Sequence, residues 1–427
     1  MSNQKQGGFH YAWIIAAMGC VMIFTTIGII MTSFSAVKPY LAEAYNLTQG
    51  QNGLLTTIRT YANMISLLAV AGVYKKISVR WGATLGMAFS IVGYAILGIG
   101  STYTHAVIAM ILFGFSRSFA GMIGVSMLVK VWFNKYRSTM FGFCSCVSGF
   151  TTFVMPPILS RTIEGSGWQS ACFLVSGILV VLTLLVALLV RDDPSVKGLE
   201  PLGGADFVEA KKASKKVVHH NYQADRTTHI IMLAVACLSA MCYAHGDFNT
   251  LNLTTAGWSK ADAAQALSYY GLCLLAGKFI YGWIADHLPM RKASIIYYGC
   301  MSIAFIILAN VRFPFFTIGV AVVTFAIYAM GGALCTNGLS SFALDMSPSP
   351  EKFGKTVQQY NFCYNFTSAI MCWIAGISAD ITGGYSLAYW GLLVCAIVGF
   401  VLVQYAYIRA DKNWKAIHAN DAVEANA

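Results

Sequence analysis

The chain has 427 residues, 57% hydrophobic and only 11% charged, with a mean hydropathy of +0.63. A soluble chain carries about 25% charged residues, so composition excludes a soluble enzyme and implies a polytopic membrane protein. The net charge of +11 would suggest a nucleic-acid partner in a soluble protein. Here it follows the distribution of Lys and Arg between apolar runs, and no nucleic-acid partner is expected.

The N-terminus, MSNQKQGGFHYAW, runs into a long apolar segment that reads as a retained helix, not a signal peptide. Apolar runs of about 20 residues are spanning candidates. Twelve are predicted: 11–37, 51–74, 82–100, 104–130, 136–162, 168–190, 228–255, 262–286, 293–310, 313–341, 353–382 and 387–408. The expected fold is an all-α membrane protein with twelve transmembrane helices in two six-helix halves, 1–190 and 228–408. Between them, 191–227 reads as a solvated cytoplasmic linker containing Asp192, Asp193, Pro194 and the pairs Lys211–Lys212 and Lys215–Lys216. Residues 409–427 read as a cytoplasmic tail. With both ends inside, 21 of the 28 Lys and Arg residues fall on the inner side. That bias predicts cytoplasmic termini.

Twelve cysteines lie scattered through apolar segments without a C-x-x-C pair. They read as small core residues, with no metal site and no disulfide framework. No phosphate-cradling G-x-x-x-x-G-K-[ST] loop is present, so an ATP-driven pump finds no footing and no cofactor is expected.

Three cations fall within spans: Arg59, Arg117 and Lys278. A charge at membrane depth costs about 3 kcal/mol on insertion scales, so each needs a partner, a cavity or a ligand. Lys278 lies eight residues before Asp286, about 12 Å at helical rise, too far to snorkel easily. Arg59 and Arg117 carry guanidinium groups, which grip a carboxylate by two parallel hydrogen bonds. In the seventh span His245 and Asp247 are candidate proton carriers or vestibule residues. In the eleventh, Tyr360, Tyr364 and Thr367 share one helical face, with Asn361, Asn365 and Ser368 on a neighbouring one. That lining suits cargo binding or polar helix packing.

The spacing Gly282-x-x-x-Asp286-x-x-x-x-Arg291 resembles the loop motif of the major facilitator superfamily. In the first half, AGVYKKISVR keeps Arg80 but has Ala71 for the Gly and Lys75 for the Asp. In that family the Asp steadies the inner gate, so the first-half gate is expected to be latched differently or to be looser. Adding 211 to Lys75, Arg80 and Asn134 gives Asp286, Arg291 and Asp345, an internal repeat. Arg117-x-x-x-Gly121-x-x-Gly124 resembles the superfamily's fourth-helix motif, whose arginine often braces helix one, so the resemblance implies a brace at Arg117 ahead of a contact with cargo. Trp132, Phe133, Arg137 and Gly142 resemble the loop of the oxalate/formate and monocarboxylate branch, as does Gly167-Trp168-Gln169, with Gln for Arg. A cation eight residues before the loop Asp is also a mark of that branch, which usually has arginine there.

The resemblance implies a monomeric, multi-pass cell-membrane transporter of small organic anions, mono- or dicarboxylates. It would work by rocking of two halves about a site near the midplane, as an antiporter or a proton-linked symporter. Departures bear on the substrate. Leu274 stands where monocarboxylate transporters place a carboxylate, and Thr367 where the oxalate antiporter has a second buried lysine. Lys38 aligns within one residue of a substrate-capturing lysine but reads as an ordinary interfacial lysine. The rival readings are an exporter of hydrophobic or neutral compounds and a transport-inactive membrane sensor.

Overall fold

The computed structural model describes residues 10–74, 76–134, 137–203, 227–313, 315–346 and 353–424. Among these residues the chain forms twelve long helices. The first four are α1 (Ala12–Ala44), α2 (Gln49–Val73), α3 (Val79–Ile99) and α4 (Tyr103–Trp132). Next come α5 (137–166) and α6 (168–189), one continuous run broken at Gly167. The rest are α7 (Thr227–Thr255), α8 (Lys260–His287), α9 (Met290–Ala309), α10 (Ile318–Met346), α11 (Phe353–Thr382) and α12 (Ser386–Glu424). Eight stretches are long and apolar enough to cross a bilayer by composition alone, one of them holding both α5 and α6. Helices α2 and α8 fall short: α2 carries Asn52 and Arg59 and α8 carries Lys278, polar side chains a hydropathy average penalises. The described part of α7 includes the shorter apolar stretch His229–Cys242.

Three boundaries differ from expectation. Helix α1 continues beyond 37, through Lys38 and Pro39, to Ala44. Helix α5 reaches 166, and the predicted loop shrinks to Gly167, whose φ of 84° is readily adopted without a Cβ. Helix α12 runs through the expected tail to Glu424, because 409–424 contains neither Gly nor Pro. Helix α1 also widens to a π turn at Phe24–Ile29. The hydroxyls of Thr25 and Thr26 both donate to the Met22 carbonyl, at 2.9 and 2.7 Å, competing with the helical ladder there.

Contacts divide the chain into two compact units. The first takes residues up to Phe34, Ala62–Thr151 and Arg161–Val217. Its core packs Ile15, Met22, Met87, Leu128, Trp132, Phe133 and Val186. Residues 191–203, expected as solvated linker, are docked on this unit. Leu202 donates to Trp132 O and accepts from Asn134 N, both at 2.9 Å, and the Trp132 indole donates to Arg191 O at 2.8 Å. Ser195 hydrogen-bonds Asp193 through its hydroxyl and N–H, which holds that carboxyl below its usual range. The second unit takes Ser35–Tyr61, Thr152–Ser160 and Val218–Ala427, so the ends of α1 and α2 pack with α7–α12.

Candidate functional site

Among the described residues, every buried charged side chain is basic, and all three belong to the second unit. Lys38 is 0%, Arg59 1% and Lys278 6% exposed. They lie six, ten and eighteen residues from the ends of α1, α2 and α8 at the loops 45–48 and 256–259. At helical rise that is about 9, 15 and 27 Å. The cations therefore step inward from one end of the unit, called here the distal end.

The burial of Lys38 overturns its reading as an interfacial lysine. Its Nζ donates to Thr56 Oγ1 at 3.3 Å and sits 4.6 Å from the centre of the Phe248 ring. Phe248 in turn stacks on Tyr385, with centroids 4.9 Å apart. One hydroxyl and one aromatic face thus receive a charge that a helix end would otherwise leave in water. Asn52, Thr56 and Arg59, at i, i+4 and i+7, lie on one face of α2. Asn52 and Asn249 are fully buried, and their amide atoms have no hydrogen-bond partner among the described residues. Lys278 lies seven residues after Gly271, on the same α8 face, and Gly271 packs against Thr152 and Phe153. The neighbouring Gly277 packs on the Ala329 backbone of α10.

Helix α11 places Tyr360, Tyr364 and Asn365 in the interior and Thr367 half-buried. Asn365 donates back to Asn361 O at 2.8 Å, and Ser368 to Asn365 O at 2.9 Å. The Tyr360 hydroxyl is buried without a hydrogen-bond partner among the described residues. Arg117 belongs to the first unit, where its Nη1 meets Met31 Sδ of α1 at 3.8 Å, the contact a brace would make. The side chains of His245, Asp247, Gly282 and Asp286, and Lys75 altogether, lie outside the described residues.

Both motif arginines are described and make equivalent grips. Arg80 Nε donates to Ala187 O of α6 at 2.6 Å, while its backbone N–H donates to Asp192 Oδ1 at 2.9 Å. Arg291 reaches Gln404 and Asp411 of α12, each at 3.4 Å. Each arginine thus ties the third helix of its repeat to the sixth. Tyr407 adds a bond to Asp345 Oδ2 at 2.5 Å.

No group of three His, Cys, Asp or Glu able to hold a metal occurs among the described residues. A cavity of about 290 Å³ opens at the distal loops, lined by Pro39, Glu43, Gln49, Leu251, Thr254 and Lys260 among others, and by none of the three buried cations.

The sequence profile of the Major Facilitator Superfamily matches residues 14–372. The chain belongs to the Major Facilitator Superfamily. As a member of that superfamily it is a transporter of small molecules and not an enzyme. It is 22% identical over 428 aligned residues to a phosphoglycerate transporter protein of Salmonella typhimurium, covering 93% of this chain and 90% of that protein. It is 21% identical to mouse monocarboxylate transporter 12, spanning 70% of this chain and 65% of that transporter. Its fold is similar to the nucleoside transporter NupG (TM-score 0.69, 13% identity, 93% of this chain and 99% of that one). It is also similar to a bacterial homolog of the human lysosomal transporter Spinster in inward-facing, occupied form (TM-score 0.67, 13% identity, 95% and 98%).

Sequence reasoning read Lys38 as interfacial and did not single out Asn52; both are buried. Lys38 sits beside a proline near a helix end and looks interfacial. A usable signal was the spacing of Asn52, Thr56 and Arg59, a polar stripe on an otherwise apolar helix.

Proposed function

We propose that the chain is a secondary active transporter of small organic anions, chiefly carboxylates, working by alternating access. The carrying observation is the sign of the buried charge: Lys38, Arg59 and Lys278 are all basic. Each cation costs about 3 kcal/mol to hold at membrane depth, and an anion in transit offsets part of that cost. Among the described residues the amides of Asn52 and Asn249 and the Tyr360 hydroxyl have no hydrogen-bond partner, which favours a cargo with polar substituents over a purely apolar one. Phosphoglycerate and monocarboxylates, named for two relatives, are anions of this kind. Exchange of one anion for another and co-transport with a proton both fit such a site, with His245 and Asp247 as the proton-carrier candidates. The reading places the chain in the cell membrane as a monomer with both termini cytoplasmic.

The test is a thermal-shift screen of the purified chain against mono- and dicarboxylates, phosphorylated acids, nucleosides and neutral amphiphiles. A ligand at 100 times its Kd stabilises the folded state by about 2.7 kcal/mol. The expected result is a raised melting temperature with one or more carboxylates and none with neutral compounds. Stabilisation by neutral compounds alone contradicts the anion reading and favours an exporter of hydrophobic or neutral molecules.

A further inference from the structure

A groove of about 410 Å³ lies between α11 and α12, lined by Ile374, Ala375 and Ser378 of the first and Leu387, Trp390 and Gly391 of the second, among others. Ile374, Leu387 and Trp390 are exposed, so the groove opens sideways from the helix pair. The Ser378 hydroxyl donates to Ala375 O at 2.8 Å, which leaves the wall apolar. Gly391 lies inside α12, where a Cβ would meet nothing within 4 Å. A helical glycine costs about 1 kcal/mol relative to alanine. Here no neighbouring backbone requires it, and its missing side chain keeps the groove open.

The groove sits at the distal end. Its α11 wall, residues 371–378, ends four residues before Thr382 and begins eleven before it, about 6 to 16 Å at helical rise. A hydrocarbon core is about 30 Å thick, so the groove is one leaflet deep. At its mouth the Arg312 guanidinium donates to Gly383 O, and a Cβ on Gly384 would run into Arg312 Nη2. Leu387 of the groove wall follows three residues later. Asp380, the acidic residue closest to this turn in sequence, gives its two carboxylate oxygens to Gln49 N and Gly50 N, at 2.6 and 2.7 Å. Arg312 is exposed, and a guanidinium has five N–H donors. On either side of it in space or sequence lie groups suited to a lipid interface: Phe313 and Phe315 are exposed, with stacked rings 6.1 Å apart.

We propose that this groove is a binding site for an anionic phospholipid of the distal leaflet, with one acyl chain between α11 and α12 and the phosphate on Arg312. Both helices are long and apolar enough to span the bilayer, so what meets the groove there is hydrocarbon. A void would forfeit dispersion contacts along its whole lining. Bulk lipid tails are as apolar as the groove, so the groove alone selects no particular lipid. Arg312 supplies the selection through a charge-assisted bond to the phosphate. A phosphatidylcholine phosphate is already balanced by its own ammonium; a phosphatidylglycerol phosphate is not. The proposal rests on the chain's place in a bilayer and not on the nature of the cargo.

The test uses the full chain in phosphatidylcholine nanodiscs doped with phosphatidylglycerol that carries a photoactivatable diazirine halfway along one acyl chain. A second probe has the same chains on phosphatidylcholine. Peptide mass mapping compares labelling of 371–394 with labelling of α6 around Val181, Leu184 and Leu188, which are also exposed. In the parent chain the phosphatidylglycerol probe labels 371–394 about fivefold more than the other, the ratio that about 1 kcal/mol per cation at a lipid surface gives. Labelling of α6 shows no preference. Arg312→Gln removes the preference, and Arg312→Lys keeps part of it. Gly391→Leu puts a side chain into the open space and lowers labelling of 371–394 by both probes to the α6 level. Where Arg312→Gln does not fold, Arg312→Lys and Gly391→Leu decide. Equal labelling of 371–394 by the two probes in the parent chain overturns the site, as does a preference that survives Arg312→Gln or Gly391→Leu in folded protein. A dimer that Gly391→Leu dissociates puts a second copy of the chain on this face and also overturns it.

Discussion

A buried ammonium survives only where something answers its charge. At Lys38 the answer is the Phe248 ring and the Thr56 hydroxyl. A desolvated cation–π contact is worth about 2 kcal/mol. Phe248→Leu keeps much of the apolar volume and removes the ring, so thermal unfolding should show a loss of about 1–2 kcal/mol. The same substitution at Phe313, which is 56% exposed, should change little. Equal melting temperatures for the parent and Phe248→Leu would show that the ring does not hold the charge. Residue by residue, legibility followed sequence distance. The depth of Lys278 was readable because its whole apolar helix is contiguous in sequence. The burial of Lys38 was not, because Phe248 comes to it from 210 residues away. The contact of Asp380 with the N–H groups of Gln49 and Gly50 was hidden for the same reason, although the Thr48–Gln51 capping pair followed by Gly53 marks a helix start that another backbone can approach.

At the scale of elements, helices α2 and α3 share a device. Each has its own capping residue, Thr48 or Ser78. Each also receives a carboxylate from elsewhere in its unit, Asp380 or Asp192. Loss of an N-cap costs about 1 kcal/mol. Asp192→Ala should therefore lower stability by about 1 kcal/mol in a denaturant melt and loosen the docked segment 191–203. Limited proteolysis after 190 would report that loosening; an unchanged cleavage rate would mean Asp192 does not anchor the segment. The first-half motif, which lacks its acidic residue at Lys75, was expected to be latched differently. Lys75 and the Asp286 side chain lie outside the described residues; Arg80 meets α6 and Asp192, which the motif could not show because both partners lie more than 100 residues downstream. The repeat offset of 211 was readable, and the matching grips of Arg80 and Arg291 are its physical content.

For the whole molecule, composition and twelve apolar runs were enough to reach a twelve-helix membrane protein, and the motif resemblance was needed to reach a transporter. They were not enough to show which parts of the chain pack together. The contact units cut α1 after Phe34 and α2 after Tyr61, inside predicted spans, since tertiary contacts do not follow hydropathy. The distribution of Lys and Arg further predicts that both termini and 191–227 are cytoplasmic. Reporter fusions at Ala205 and Ala427 should be active only with a reporter that works in the cytoplasm. Activity of an external reporter at either site would overturn this orientation.

The central claim is that buried basic side chains attract an anionic cargo, and Lys278 is its most exacting test. Reconstituted vesicles holding equal amounts of folded protein would be loaded with the carboxylate that most raises the melting temperature. Lys278→Gln removes a charge-assisted hydrogen bond worth about 1.5–3 kcal/mol, a roughly tenfold to hundredfold loss of affinity. Carboxylate flux per folded molecule should fall by at least that factor, while Lys278→Arg, which keeps the charge with a different geometry, should retain part of it. Normal flux per folded Lys278→Gln molecule would contradict the account.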